Sequence, residues 1–576
     1  MLAFELRLYG VIIFSFLRLR GPWNWDKNDP DTIMATMMRP LRNGTFGDAK
    51  DGVIQAGSRH YPNLPEEGAT RLALSFVTVR YSDELEQNLM RSYCVRDPQN
   101  ELIVVDNRDD VFFESLSQAF LSRIEKARHE IVVLVHEDVL LLPGWQAAFE
   151  RSLSELERFD PEWGLLGTAG QTADGAPRGH WSDPHKYSKH FGDRPFDEVA
   201  YVDEHIMVLR RSDGALLDSL LPSIHNIGHD LSLTLRSRCR RIYVVDAPTI
   251  HKYADAAGRL IQTLSDSPKI RTRTSLTWLA AKACSDDYLA RKWHAVLAPR
   301  EEAPDASISE AERMRMGAPV ILLARGGGGS RLLSRVCGQL FLGNEVSGSG
   351  DTLELAIPIY KAVIAKYRCR TAGQAERSSQ EIERAAYRML ERAGFPARWG
   401  FKLPEAMLLV DELAAAFPSA RFMFLVRDPI STCLRRTHMT ARLDNEIGRA
   451  LLPVAYRHVG RRIDAILQDS PAEHMAFTTI HQIEMVIQFL RRLPPARHFT
   501  VRFEDLLGKP RVTEERVTAW FDDVALGLQT PVRPSPLERE IDLSRAAHPA
   551  VEYPEVVQRR VAALLEPLRR QLGYAS

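Results

Sequence analysis

Cysteine is scarce in this chain, and its spacing argues against several kinds of protein. Six cysteines occur among 576 residues, and no two of them have C-x-x-C spacing. Zinc knuckles, thioredoxin-like redox motifs and disulfide-stapled secreted scaffolds depend on closely spaced or paired cysteines. The pattern favours a protein of the reducing cytoplasm.

The chain also lacks an excess of charge of either sign. Lysine plus arginine total 75 and aspartate plus glutamate total 75, so the formal net charge is zero. Holding a nucleic acid or an anionic membrane by overall charge would need a basic excess. We therefore expect no nucleic-acid partner, and any basic site has to be local.

No apolar run is long enough to span a membrane. The one membrane-like stretch, residues 8–19, has Glu5, Arg7, Arg18 and Arg20 at its ends. It is shorter than the roughly 18–20 apolar residues that a transmembrane helix needs. We interpret it as an N-terminal helix or an interfacial anchor. Membrane contact is then restricted to this segment, and the expected location is cytoplasmic or peripheral to the inner membrane.

The length of the chain predicts two domains, because one hydrophobic core rarely supports so many residues. Strand-like apolar runs alternate with helical stretches in residues 70–285 and again in residues 317–576, which predicts two α/β domains built on mainly parallel sheets. Residues 1–69 form an N-terminal extension, and the charged, proline-containing residues 286–316 form a linker. No internal repeat relates the halves, so we interpret the chain as a fusion of unlike modules.

A glycine-rich loop is the sharpest local signal in the second half. The apolar run 321–324 leads into Arg325-Gly326-Gly327-Gly328-Gly329-Ser330-Arg331 and then into an amphipathic helix. Glycines let backbone N–H groups approach an anion closely, and a helix N-terminus adds positive potential, so the loop predicts a phosphate site. The lysine of the Walker motif is missing, which argues against an ATPase or GTPase. A flexible glycine-rich hairpin is the structural alternative.

Two further basic residues follow at points where a parallel sheet would bind a ligand. Lys402 stands in the step Lys402-Leu-Pro404, and Arg427 ends the strand-like run 420–426 just before Asp428 and Pro429. An arginine at the carboxyl end of a buried strand can bind a phosphate with two hydrogen bonds.

Together these motifs resemble the sulfotransferases that use 3′-phosphoadenosine 5′-phosphosulfate, over residues 317–576. The resemblance implies that the loop from Arg325 to Arg331 binds the 5′-phosphosulfate and that Lys402 and Arg325 stabilise the transferring sulfuryl group. It implies that Arg427 binds the 3′-phosphate, and that Glu345 is the general base, with Asp351 and His438 as alternatives.

The sequence departs from that family at one position. The family usually has a serine eight residues after the arginine that binds the 3′-phosphate, and this chain has Arg435 there. Arg435 would then bind the phosphate directly by its charge, or a nearby hydroxyl would replace the serine. The candidates for that hydroxyl are Ser431, Thr432 and Thr437.

The first half carries a different set of polar residues at strand ends. His136-Glu137-Asp138 follows the apolar run 131–135, and Asp106 follows the run 102–105. A carboxylate at such a position can coordinate a divalent cation that also holds a nucleotide diphosphate.

This half resembles the family 2-like glycosyltransferases with the GT-A fold, a Rossmann-like nucleotide-sugar domain, over residues 70–255. The resemblance implies that Asp138 and His251 bind Mg²⁺ or Mn²⁺, that Asp106 contacts the nucleotide, and that Asp230 is the general base. Each residue has a structural alternative: Asp106 as a strand-end cap, His251 as a loop histidine, and Asp230 as a helix N-cap.

These observations lead to one main hypothesis and two alternatives. The main hypothesis is a bifunctional transferase with two cosubstrates, 3′-phosphoadenosine 5′-phosphosulfate and a nucleotide sugar, acting on a carbohydrate acceptor. The first alternative is a sulfotransferase whose GT-A-like half only binds glycan. The second is a scaffold or kinase-like protein whose glycine loop binds ATP.

Overall fold

The fold is described from a computed structural model of the chain. The residues described are 53–56, 59–62, 72–184, 187–261, 276–294, 308–336, 352–369, 371, 373–396, 398–435, 437–524 and 553–574. Within these ranges, no helix is both long and apolar enough to cross a membrane. The predicted anchor at residues 8–19 lies outside them.

The chain divides into two compact units. The N-terminal unit contains the described residues up to 261 together with residues 282–294, and the C-terminal unit contains residues 276–281 and those from 308 onward. The predicted linker, residues 286–316, is not a plain spacer. It includes the end of helix α5 (Leu276–Lys292) and all of helix α6 (Glu310–Met316).

The N-terminal unit is built on a seven-stranded sheet with the order β11-β14-β7-β13-β5-β3-β4. Strand β3 pairs in parallel with β4 and β5, and β7 pairs in parallel with β14, whereas β13 and β11 run antiparallel to their neighbours. The sheet is therefore mixed, not mainly parallel as the sequence predicted. Its strands are β3 (Ser75–Arg80), β4 (Glu101–Asp106), β5 (Ile131–His136), β7 (Leu165–Gly167), β11 (Phe196–Val199), β13 (Ile206–Arg210) and β14 (Ile242–Val245).

A second, six-stranded sheet lies in the same unit. Its strands are β6 (Val139–Leu140), β8 (Ala169–Gln171), β9 (Pro177–Ser182), β10 (Tyr187–His190), β12 (Tyr201–Val202) and β15 (Thr249–His251), with the order β12-β8-β9-β15-β6 and β10 beside β9. Strands β1 (Val53–Ala56) and β2 (Arg59–Pro62) form a separate antiparallel pair. The helices of the unit are α1 (Glu84–Gln87), α2 (Leu116–Leu121), α3 (Trp145–Phe159), α4 (Ile227–Arg236) and most of α5.

Both faces of the seven-stranded sheet are buried, because alternate residues of its central strands point into two different cores. Val133 and Val135 of β5 belong to one apolar cluster, and Val132 and Leu134 to the other. A sheet covered on both sides gives continuous apolar runs in the sequence. This is why the runs 131–135 and 242–245 could be identified as strands from the sequence.

The C-terminal unit contains a four-stranded, fully parallel sheet with the order β17-β16-β18-β19. The strands are β16 (Val320–Ala324), β17 (Gly400–Lys402), β18 (Arg421–Val426) and β19 (His498–Arg502). All five residues of β16 are buried, which explains the uninterrupted apolar run before the glycine loop. The predicted parallel α/β sheet is present in this half.

Helices surround this sheet. They are α6, α7 (Ser330–Val336), α8 (Ala356–Arg368), α9 (Gln374–Arg392), α10 (Val410–Ala416), α11 (Pro429–Cys433), α12 (Glu446–His458), α13 (Pro471–Leu490), α14 (Phe503–Gly508), α15 (Pro510–Val524) and α16 (Glu555–Gln571). The start of α13 is fixed by a capping box in which Ser470 and Glu473 each satisfy the other's backbone N–H. The apolar, largely buried α13 brings Thr478 and Thr479 close to the glycine loop.

Candidate functional site

The glycine loop connects the carboxyl end of β16 to the start of α7, as the sequence predicted. Two of its glycines are required by their surroundings. A Cβ atom on Gly326 would lie 1.9 Å from Cδ2 of His438, and one on Gly329 would lie 2.2 Å from the ring of Phe503. Gly329 also has a φ of +94°, which favours glycine. Side chains from two distant segments therefore press directly against this loop.

The guanidinium of Arg325 is already bound by hydroxyl groups of the protein. Its guanidinium is buried and hydrogen-bonds to the hydroxyls of Thr479 at 3.0 Å, Thr478 at 2.5 Å and Thr440. Burial lowers the pKa of Arg325 to about 10, so the group stays charged at neutral pH. The side chain expected at the phosphosulfate is thus engaged by three hydroxyl groups from elsewhere in the chain.

A buried acid and a histidine lie beside Arg325. Glu405 is fully buried, and its Oε1 lies 3.7 Å from Nε2 of His438. The charge of Glu405 favours the charged form of Arg325. Nδ1 of His438 lies 3.1 Å from the Thr440 hydroxyl, so both ring nitrogens of His438 have a polar neighbour while the ring rests on Gly326.

Arg427 also contacts the loop. Its Nη1 lies 3.4 Å from the carbonyl oxygen of Gly327, and its guanidinium stands over the Phe503 ring, 4.5 Å from the centroid. Burial lowers the pKa of Arg427, and the positive charge of Arg435 lowers it further. Arg325 and Arg427, both predicted to bind phosphate, therefore lie at the same loop.

The remaining predicted residues of this half fall into three groups. Lys402 ends β17, and its side chain is buried. Ser330 begins α7 and is buried, whereas Arg331 is exposed. Glu345 and its alternative Asp351 lie outside the described residues.

Arg325, Lys402 and Arg427 follow or end three neighbouring parallel strands. The register pairs Leu322 of β16 with Lys402 of β17, and Ala324 of β16 with Leu425 of β18. The carboxyl edge of an open parallel sheet is where such folds bind ligands. The three basic residues thus stand at the same edge of the sheet, and their roles in a site stay a prediction.

In the N-terminal unit, the carboxyl ends of β3, β4 and β5 also lie side by side, with Arg80 paired with Asp106 and Val79 with His136. Asp106 is exposed at this edge and accepts two hydrogen bonds from the Arg108 guanidinium, at 3.0 and 2.8 Å. These bonds hold the pKa of Asp106 below its usual range. Asp106 is therefore ionised and already paired with a cation.

The predicted metal ligands do come together. One donor atom each from His136, Asp138 and His251 lies within 4.8 Å of the other two. Burial lowers the pKa of His136 to about 3 and that of His251 to about 4, so both rings are neutral at pH 7. His136 is the member of this group that the sequence did not predict as a ligand.

This group does not fit Mg²⁺ or Mn²⁺ as it stands. Mg²⁺ prefers oxygen ligands, and two of the three donors here are imidazoles. In addition, Nζ of Lys252 lies 2.8 Å from Nε2 and 3.1 Å from Nδ1 of His251. A cation of the protein itself already stands at the group.

Asp230, the predicted base of the first half, is engaged elsewhere. It is buried, and its carboxylate accepts hydrogen bonds from Lys292 Nζ at 2.8 Å and Trp293 Nε1 at 2.7 Å. Burial raises the pKa of Asp230 despite these two bonds. Deprotonating an acceptor would require Asp230 to leave partners that satisfy both of its oxygens, so its role as a base stays a prediction.

Several residues of the C-terminal site were missed by the sequence analysis. Glu405 follows directly after the lysine-leucine-proline step, so its position was a usable signal. Thr478, Thr479 and Phe503 carry no local signal, because only the packing of α13 and α14 on the sheet brings them to the loop.

Comparison with known proteins finds a match to a known family in the C-terminal half of the chain. Residues 360–523 match the model of the sulfotransferase family. The match begins after the glycine loop and includes Lys402, Arg427 and His438. No curated protein matches the sequence.

Two solved structures illustrate the similarity. A sulfotransferase from Mycobacterium avium has 12% identity and a TM-score of 0.31, over 55% of this chain and 90% of that chain. A sulfotransferase from Alicyclobacillus acidocaldarius has 12% identity and a TM-score of 0.27, over 45% of this chain and 97% of that chain. With TM-scores this low, the fold of this chain is described from its own strand order and not from these two structures.

We expect Gly329→Ala to lower the free energy of unfolding of the C-terminal unit by about 2–4 kcal/mol, because the new methyl group meets Phe503 and the backbone is left-handed. Urea denaturation of the full chain measures this loss. Gly508→Ala is the matched control: that glycine lies in a helix with open space around its Cβ position, so its stability should change little. Equal stability of the two variants would contradict the packing described for the loop.

Proposed function

We propose that the C-terminal unit is a sulfotransferase that moves a sulfuryl group from 3′-phosphoadenosine 5′-phosphosulfate to a hydroxyl, with a carbohydrate as the acceptor. The observation that carries this proposal is the position of Arg325, Lys402 and Arg427 at the carboxyl ends of three neighbouring parallel strands, where Arg427 contacts the glycine loop. The family match over residues 360–523 supports it.

The chemistry places clear demands on such a site. The acceptor oxygen attacks sulfur, the bond between sulfur and the bridging oxygen of the 5′-phosphate breaks, and the acceptor proton passes to a base. 3′-Phosphoadenosine 5′-phosphate leaves with the electron pair of the broken bond. Catalysis of this kind rests on positioning and on positive groups near the oxygens that gain charge.

The residues at the loop meet these demands. Backbone N–H groups of the glycine loop would hold the 5′-phosphate, with the buried charge of Arg325 beneath them. Arg427, with Arg435 close by, would bind the 3′-phosphate. Lys402 would stabilise the transferring group.

His438 is the best placed described residue for the general base. Its ring contacts Gly326 of the loop, and the neighbouring Glu405 would stabilise the imidazolium that forms when His438 takes the proton. Glu345, favoured by the resemblance, lies outside the described residues, so the choice between the two belongs to experiment.

For the N-terminal unit we infer a nucleotide-sugar site at the carboxyl ends of β3, β4 and β5. The observation that favours it is the placement of Asp106 and of the group around Asp138 at neighbouring strand ends. Glycosyl transfer at this site, with Asp230 as base, would act on the same glycan as the sulfotransferase. Joining the two units would raise the local concentration of the shared acceptor.

Two rival functions have distinct signatures. If the N-terminal unit only recognises glycan, it binds an oligosaccharide but gives no turnover of any nucleotide sugar. If the glycine loop binds ATP, then ATP raises the melting temperature and 3′-phosphoadenosine 5′-phosphate does not, because only a true ligand stabilises the folded state.

Arg427→Ala should weaken binding of 3′-phosphoadenosine 5′-phosphate by about 10- to 100-fold, the usual loss for a charged hydrogen bond to phosphate. Isothermal titration calorimetry of the full chain measures this effect. Arg462→Ala is the matched control, because that arginine is exposed and pairs only locally with Asp464. Absence of binding by the wild type, or equal binding by Arg427→Ala, would overturn the proposed donor site.

His438→Gln should lower the single-turnover rate by about 100-fold or more and leave nucleotide affinity unchanged, since a general base acts only in the chemical step. The measurement is release of 3′-phosphoadenosine 5′-phosphate from the donor, with methyl glycosides as probe acceptors. An unchanged rate in His438→Gln would return the role to Glu345.

A further inference from the structure

The carboxyl ends of two neighbouring strands, β18 and β19, are attached to helix α16. β18 ends at Val426, which the register pairs with Arg502, the last residue of β19. Arg427 follows directly after β18, and Phe503 follows directly after β19. The guanidinium of Arg427 lies 4.5 Å from the centroid of the Phe503 ring. Groups that hold these two strand ends therefore also hold Arg427.

Asp428, the residue after Arg427, is bound at three points. Its backbone N–H donates to Oε1 of Glu504 at 3.0 Å, and its Oδ1 accepts a hydrogen bond from the N–H of Ile430 at 2.9 Å, which caps α11. Its Oδ2 accepts a hydrogen bond from Nη2 of Arg569, in α16, at 3.0 Å. The turn that carries Arg427 is therefore fixed both by its neighbours and by α16.

Glu504 is bound at its other oxygen by the segment that follows α16. The Tyr574 hydroxyl donates to Oε2 of Glu504 at 2.8 Å. Burial, together with this hydrogen bond, raises the pKa of Tyr574, so the phenol keeps the proton that it donates. The guanidinium of Arg502 stands over the Tyr574 ring, 4.8 Å from the centroid, and donates to the carbonyl oxygens of Leu572 and Gly573. The end of α16 is thus attached to β19 as well as to the turn after β18.

These contacts keep two carboxylates away from the guanidinium of Arg427. Burial lowers the pKa of Arg427, and the negative charges of Glu504 and Asp428 act against that lowering, so both carboxylates are close enough to act on the guanidinium. A carboxylate binds an arginine in the same two-point manner as a phosphate does, and would compete with it. Arg569 occupies Oδ2 of Asp428, and Tyr574 occupies Oε2 of Glu504. Both carboxylates are therefore already engaged.

We propose that Arg569 and Tyr574 are positioning residues of the donor site. By holding Asp428 and Glu504, they set the guanidinium of Arg427 for the 3′-phosphate of the nucleotide. This inference rests on the donor site proposed above and adds α16 to it. Both residues act through Arg427, so their effect is confined to nucleotides that carry a 3′-phosphate.

The test is isothermal titration calorimetry of the full chain carrying Arg569→Met, with 3′-phosphoadenosine 5′-phosphate and adenosine 5′-phosphate as the two probes. We expect affinity for the first to fall by about 10-fold or more, the loss usual for one charged hydrogen bond, and affinity for the second to stay unchanged. Tyr574→Phe, which keeps the ring beside Arg502, should show the same pattern with a smaller loss. Arg570→Met is the matched control, because that arginine is exposed and pairs with Glu566 of the same helix.

A second comparison separates the positioning of Arg427 from a general effect on the fold. In a chain that already carries Arg427→Ala, the change Arg569→Met should cause no further loss of affinity for 3′-phosphoadenosine 5′-phosphate, because the residue through which it acts is gone. A loss of equal size with and without Arg427 would show that Arg569 supports the fold in general, and would overturn the inference.

Failure of this inference can be told apart from failure of the proposed function. A wild-type chain that binds 3′-phosphoadenosine 5′-phosphate no more tightly than adenosine 5′-phosphate overturns the donor site, and this inference with it. Binding that depends on Arg427 but is unchanged in Arg569→Met and Tyr574→Phe overturns this inference alone. Circular dichroism establishes whether each variant is folded, and Tyr574→Phe decides the outcome if Arg569→Met is not.

Discussion

The buried guanidinium of Arg325 is the interaction on which the C-terminal site depends. A charge in the interior is costly unless polar partners surround it, and the hydroxyls of α13, together with Thr440, supply those partners. Arg325 is the first residue of the glycine loop. Its hydrogen bonds to Thr478, Thr479 and Thr440 therefore connect the loop to α13 and to the segment that carries His438. Glu405 offsets part of the charge. These bonds fix the first residue of the loop and place a positive charge next to it.

The two units share the placement of their polar residues and differ in which residues supply positive charge. Each places polar residues at the carboxyl ends of adjacent parallel strands, where the backbone leaves room for a ligand. In the C-terminal unit the positive charge comes from arginines and a lysine around a glycine loop. In the N-terminal unit it comes from Arg108 beside Asp106 and from Lys252 within the histidine group.

Sequence reasoning located the strand ends of both sites and failed on the directions of side chains. The glycine loop, Arg427 and Asp138 could be located from the sequence, because each stands next to a continuous apolar run that marks a buried strand. The grouping of Asp138 with His251 was implied by the family resemblance alone. The inward turn of Arg325 depends on Thr478 and Thr479, more than 150 residues away, which no local pattern reveals. The burial of Lys252 against the His251 ring was missed for a similar reason, since a lysine after a strand is usually exposed. The antiparallel β13 escaped notice because a fully buried strand has the same apolar pattern in either direction.

The most direct test of a sulfotransferase site at the glycine loop is a crystal structure of the full chain with 3′-phosphoadenosine 5′-phosphate. We expect the 5′-phosphate to accept hydrogen bonds from backbone N–H groups of residues 326–330, and the 3′-phosphate to lie within hydrogen-bond distance of Arg427. Arg325 should remain buried beneath the loop, against Thr478 and Thr479. A nucleotide bound away from the loop, or a loop that stays empty at saturating nucleotide, would contradict the proposed function.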